Sequence, residues 1–281
     1  MQKLVYLVQS ATGAPASYDA IPSDRADLIQ LTWKEPIGGA VYLPNSTWSQ
    51  GRNRLLAEAM NRGEPYLYYV FLDDDIVFDK GDWRTFEDVL LKYRPAIATP
   101  FFPDYPPVDR SRLDMEAHTC AYFDAMFNAF HRDVARDGLI LPYYGGFDGE
   151  SWWYSQSFVM QLARELYPEH TVQVNAVLIR NTKHADYPQG DDWAKMEAFF
   201  KTQVLRSDEP GELERVRQKV VGRLRSLLAV PEVPPAFRPP RPPGKPPRTY
   251  HIAPRDRDRK FNPNSPLFRR QPGTVEPTRA P

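Results

Sequence analysis

The sequence predicts an α/β protein in which a mostly parallel central sheet carries helices on both faces. Three observations lead there. Short, nearly continuous apolar runs recur between helical stretches, the pattern of strands covered on both sides. The helical stretches carry recognisable start and stop residues. A break in composition near residue 230 separates a globular front from an end in which residues 231–281 hold 15 of the 29 prolines.

In chain order, "KLVYLVQS" reads as a first strand followed by a Gly/Pro/Ser loop, and "DLIQLTWKE" as a second strand. "STWSQGRNRLLAEAMNRG" reads as a helix that Ser46 or Thr47 caps and Gly63 ends. "YLYYVFLDDD" is a central strand, "DWRTFEDVLLKY" a second helix and "AIATPFF" a further strand, with another apolar strand at residues 174–179. "EPGELERVRQKVVGRLRSLLAV" has apolar residues on a helical period and a basic opposite face. The stretch "PPAFRPPRPPGKPPR" cannot continue a helix or enter a sheet, because proline lacks the donor and fixes φ. The expected division is therefore 1–205 as the globular domain, with halves 1–100 and 101–205, then 206–230 as an amphipathic helix and 231–281 as an extended basic tail. No internal repeat is evident.

The totals exclude several classes. The 281 residues carry 36 Lys+Arg and 36 Asp+Glu, so overall charge makes no case for nucleic acid. The balance is uneven, however: residues 231–281 carry a net +7 and the preceding 230 a net −7. One cysteine, Cys120, excludes an intramolecular disulfide and a Cys-rich zinc site. No segment reaches the ~20 apolar residues of a membrane span. The apolar run at residues 4–8 is shorter than the ~7–15 residues of a secretion signal. A cytoplasmic protein is expected, although the basic helix and tail also suit peripheral contact with an anionic membrane.

The chemistry gathers around "YYVFLDDDIVF", where Asp73, Asp74 and Asp75 end a buried run. Adjacent carboxylates repel and lose hydration, so something must compensate them. A hard divalent ion, Mg²⁺ or Mn²⁺, takes one or two carboxylates and completes its shell with phosphate oxygens. If strand geometry persists, Asp73 and Asp75 point one way and Asp74 the other. About twenty residues upstream, Arg52 and Asn53 stand in the first part of a helix, where a guanidinium fork and a helix amino terminus both favour phosphate.

Gly51-Arg52-Asn53 opening a helix, followed by an apolar strand ending in Asp73-Asp74-Asp75, resembles the nucleotide-sugar-binding half of glycosyltransferases of the Rossmann-like GT-A fold. The resemblance spans roughly residues 2–190 and rests on these short motifs. It implies a metal-dependent transfer of a sugar from a UDP- or GDP-type donor to a hydroxyl of a glycan or other acceptor. Asp73 and Asp75 would hold Mn²⁺ or Mg²⁺, with His184, just after an apolar strand, as a third ligand. Gln9, Ser10, Glu35 (or Trp33), Arg52, Asn53, Asp73 and Asp74 would meet the nucleotide sugar. In "LPYYGGFDGESWWYSQ" it implies a carboxylate base, Glu150 first and Asp148 second, with Trp152 and Trp153 stacking on the acceptor. A base so placed favours inversion. The second strand ends in "WKE" where the family usually has an Asp, so the nucleobase stays open. Two other readings remain: a non-catalytic GT-A-like binding module, and a nucleotidyltransferase, against which "QSATGAPAS" stands because it lacks the basic residues of that class's first loop.

Overall fold

The structure is a computed structural model that describes residues 3–104, 113–137, 140–167, 170–182, 190 and 192–199. The anticipated helix at 206–230, the tail at 231–281 and His184 lie outside the described residues. None of the described helices is long and apolar enough to cross a membrane.

Among the described residues nine strands form one sheet: β1 (Leu4–Ser10), β2 (Ala26–Thr32), β3 (Val41–Tyr42), β4 (Tyr68–Asp73), β5 (Ile76–Lys80), β6 (Ile97–Phe101), β7 (Ala117–Thr119), β8 (Phe127–His131) and β9 (Thr171–Asn181). Their order is β3-β2-β1-β4-β8-β6-β9-β5, with β7 also paired to β9. The first half, β3-β2-β1-β4, is parallel throughout. In the second half β8 runs antiparallel to both β4 and β6, β9 is parallel to β6, and β5 and β7 are antiparallel to β9. The helices are α1 (Trp48–Asn61), α2 (Trp83–Tyr93), α3 (Arg132–Asp137), α4 (Trp152–Leu166) and α5 (Trp193–Phe199).

Alternation along the strands divides the core between the two faces. Val5, Leu7, Tyr69 and Phe71 pack with Leu55, Leu56, Ala59 and Met60 of α1 and with Phe158, Val159 and Leu162 of α4. Leu4, Tyr6, Val8, Tyr68, Val70 and Leu72 pack on the opposite face with Trp83, Phe86, Val89 and Leu90 of α2. α1 starts where the sequence indicates: Thr47 accepts from the Gln50 amide, and the Gln50 side chain reciprocates as a capping box. Gly63, beyond the last turn, has φ 74, which a glycine adopts without strain.

One local expectation is corrected. Strand geometry does not persist through the triplet: β4 ends at Asp73, and Asp74 and Asp75 form a turn into β5. β5 leaves β4 and pairs with β9 at the far side of the sheet. Two carboxylates that cannot both be buried in a strand are accommodated by breaking it.

Candidate active site

The carboxyl ends of the parallel strands form a lip, the place where open α/β sheets collect ligands. Gln9 of β1 stands in register with Asp73 of β4. Asp73 shares the strand face of Phe71, and that face lies under α1, so its Oδ1 meets Arg52 Nη2 in an ion pair. Arg52 is only 1% exposed. Its guanidinium lies 4.5 Å from the centroid of the Trp48 ring, one turn back along α1. The buried Tyr143 side chain stands beside the same guanidinium and is hydrogen-bonded to it.

Asp74 turns to the other side, where Ser10 Oγ lies 2.6 Å from its Oδ2. Tyr18 clamps the turn from below, donating to the Asp73 carbonyl at 2.7 Å and accepting from the Ile76 amide at 3.0 Å. Burial pushes the Asp73 carboxyl up to about 7; Arg52 opposes the rise, while the charges of Asp75 and Asp124 add to it. Asp75 and Asp124 thus act electrostatically on Asp73, and Arg52 on both Asp73 and Asp124. The compensation that the triplet requires is supplied in part by Arg52, the Ser10 hydroxyl and Tyr18.

Gly51 and Asn53 take positioning roles in the folded chain. A Cβ on Gly51 would come within 2.3 Å of the Gln9 carboxamide, whose Nε2 donates to the Thr47 carbonyl at 3.1 Å. Asn53 bonds both ways to the Tyr143 backbone, donating to its carbonyl at 2.9 Å and accepting from its amide at 2.7 Å. Glu35 is exposed beyond the end of β2.

The residues expected on the acceptor side are placed differently from one another. Asp148 is 5% exposed and accepts from Thr47 Oγ1, the Ser49 amide (3.2 Å), Ser49 Oγ (2.8 Å) and Ser155 Oγ (2.8 Å). Those donors belong to the starts of α1 and α4, so Asp148 joins two helix termini. Glu150 is exposed and pairs with Lys195 of α5, with Nζ 2.6 Å from Oε2 and 2.7 Å from Oε1. Trp152 is half-buried at the start of α4, and Trp153 remains 39% exposed.

Sequence reading missed Asp124. The Asp73 amide donates to the Met126 carbonyl at 2.8 Å, which sets the residues before β8 beside the end of β4. Asp124 Oδ1 accepts from the Met126 amide at 2.9 Å. Desolvation raises its pKa, against the hydrogen bonds from Met126 and Gln156 and the charge of Arg52. The signal available was an isolated acid just ahead of the fully buried run "FNAFH".

No family model matches the sequence, and no curated protein matches it. Among solved structures, Staphylococcus aureus TarS in complex with UDP-GlcNAc superposes with a TM-score of 0.51 at 8% identity, covering 84% of this chain and 78% of that one. GalNAc-T7 with UDP, GalNAc and Mn²⁺ gives a TM-score of 0.50 at 9% identity, over 82% of this chain and 57% of the other. The chain has the GT-A fold. Within that fold the lip brings together Gln9, Ser10, Arg52, Asp73, Asp74 and Asp75, and Asp124 joins them from the loop before β8.

The carboxylates suit a hard cation. Asp75 and Asp124 add their charges to that of Asp73, and one guanidinium opposes them, which leaves an excess of oxygen donors of the kind Mn²⁺ or Mg²⁺ takes. Among the described residues no three His, Cys, Asp or Glu side chains form a ready-made ligand set. Such an ion would therefore draw the rest of its shell from substrate oxygens and water.

Proposed function

We propose that the protein is a metal-dependent glycosyltransferase that moves a sugar from a UDP- or GDP-type nucleotide-diphosphate donor to a hydroxyl acceptor, a glycan or similar molecule, with inversion. The observation that carries this reading is the placement of Asp73, Asp75 and Arg52 together at the carboxyl end of β4, on a GT-A sheet, beside the end of β1. TarS, solved with UDP-GlcNAc, and GalNAc-T7, solved with UDP, GalNAc and Mn²⁺, support a nucleotide-sugar partner and a divalent ion.

Asp73 and Asp75 would hold Mn²⁺ or Mg²⁺, which would neutralise charge developing on the departing diphosphate. Arg52 would fix the Asp73 carboxylate and add positive charge beside an anionic guest. Gln9 and Ser10 border the space that the nucleoside would enter, and the exposed face of Trp153 is available to stack on an acceptor sugar.

A thermal-shift experiment with Mn²⁺ and UDP, GDP or CDP tests the reading, because a ligand that binds only the folded state raises the melting temperature. The expected result is a Mn²⁺-dependent rise with at least one diphosphate that Asp75→Ala abolishes. No rise with any of the three would overturn it. A silent GT-A-like binding module is the second reading, favoured by the structural commitments of Asp148 and Glu150. It predicts the thermal shift without nucleoside diphosphate release from any donor.

A further inference from the structure

The transfer proposed above needs a carboxylate that reaches the acceptor, and the two acids of the "GGFDGE" segment are otherwise engaged. Asp148 is enclosed by donors from two helix termini, and Glu150 is held by Lys195 on an exposed surface. Asp124 meets the geometric requirement. β8 is antiparallel to β4 with Phe127 opposite Leu72, so residues just before Phe127 lie on the same lip as the aspartate triplet. The Asp124 carbonyl accepts from Asn128 Nδ2 at 2.7 Å and its Oδ1 from the Met126 amide at 2.9 Å, which fixes the backbone and aims the side chain. Gln156 of α4 donates to the same carboxylate. Asp124 is only half-buried, so a substrate can reach it.

Arg52, 1% exposed, and Tyr143, fully buried, stand beside this group, with the Tyr143 hydroxyl hydrogen-bonded to Arg52. Both side chains interact electrostatically with Asp73, and Arg52 with Asp124 as well.

We propose that Asp124 is the catalytic carboxylate that accepts the proton of the acceptor hydroxyl, and that Gln156 is its positioning residue. This rests on the glycosyl-transfer reading. In the step, the acceptor O–H bond breaks and its proton passes to Asp124. A lone pair of the acceptor oxygen forms the new bond to the anomeric carbon. The bond from that carbon to the diphosphate oxygen breaks, and the nucleoside diphosphate leaves with the electron pair.

The test uses the full chain with Mn²⁺ and measures nucleoside diphosphate release from UDP-N-acetylglucosamine, UDP-glucose and GDP-mannose, beside the melting-temperature rise given by the matching diphosphate. Asp124→Asn, nearly isosteric, should keep the wild-type rise and the donor KM while kcat falls by about 10²-fold or more. Asp124→Glu should recover part of that loss, and Gln156→Leu should lower kcat without changing KM. Wild-type turnover in Asp124→Asn overturns the assignment and leaves the transfer reading standing. Loss of the melting-temperature rise in Asp124→Asn also overturns it, because the residue would then serve donor binding. A wild-type chain that releases no diphosphate from the three donors overturns the transfer reading and this assignment together.

Discussion

A guanidinium that is 1% exposed must have its charge met inside the protein, and Arg52 meets Asp73. Removing one member of a buried pair strands the other, so Arg52→Ala should cost about 3 kcal/mol, the lower end of the usual range because Asp73 is 31% exposed. Urea denaturation measures it. In a double-mutant cycle with Asp73→Asn the second change should cost much less than it does alone; additive costs would show that the pair is not coupled. Lys195 and Glu150 make the contrasting case. Their side chains are 54% and 45% exposed, so Glu150→Gln should change stability by less than about 1 kcal/mol. These differences explain how much of the site was legible in the sequence. Arg52 and the triplet stood out because charges inside or beside apolar runs need a reason. Their pairing was not visible, since it depends on α1 folding over the odd-numbered face of β4. Asp124 was missed for the same reason: nothing in its immediate neighbours reveals that β8 returns antiparallel to the strand ending at Asp73.

Helix α1 is positioned by contacts at both the backbone and its first turn. Gly51 lets the Gln9 carboxamide lie against it, since a Cβ there would meet that group at 2.3 Å. In the wild-type background Gly51→Ala should therefore be neutral or destabilising. Once Gln9→Ala has removed the obstruction, Gly51→Ala should stabilise by about 0.5–1 kcal/mol through helix propensity. A sign that does not change between the two backgrounds would refute this account. Asp148 ties the same helix to α4, and Asp148→Ala leaves the buried hydroxyls of Ser49 and Ser155 without their acceptor, at an expected cost of about 3 kcal/mol in the same assay. On the opposite face α2 buries Glu87, whose side chain is 1% exposed. Desolvation raises its pKa, against Arg84, Arg25 and the Tyr6 hydroxyl. The folded state therefore holds that proton more tightly than the unfolded chain. The stabilisation is present in acid and is lost as pH rises from the ordinary glutamate range through the raised value. Glu87→Gln should flatten that part of the stability–pH profile. Of the elements, β1, β2, β4, β6, part of β9 and the helices α1 and α2 were readable from apolar runs, periodicity and, for α1, its cap. β3, with two residues, and β7, with three, are too short to show a period. β5 was hidden because "IVF" follows the triplet as if it continued β4.

At the scale of the molecule the distribution of charge is the strongest remaining feature. Residues 1–230 carry a net −7 and residues 231–281 a net +7. The described nine-stranded sheet, both of its described core faces and the lip lie within residues 3–199. Burial of apolar surface is the dominant favourable term in folding, and prolines leave little for the 231–281 segment to add to a sheet or helix. A chain ending at residue 230 should therefore unfold in one cooperative transition and keep the wild-type rise in melting temperature with Mn²⁺ and the matching nucleoside diphosphate. What should change is its behaviour toward anions. The full chain should bind vesicles containing phosphatidylserine at low salt and release them as ionic strength rises past about 0.15 M, where charges more than about 8 Å apart are screened; the shortened chain, net negative, should not bind. Sedimentation of both chains with anionic and neutral vesicles measures this. A shortened chain that no longer unfolds cooperatively would assign the segment to the structure of the domain, and equal vesicle binding by both chains would remove it from any part in surface attachment.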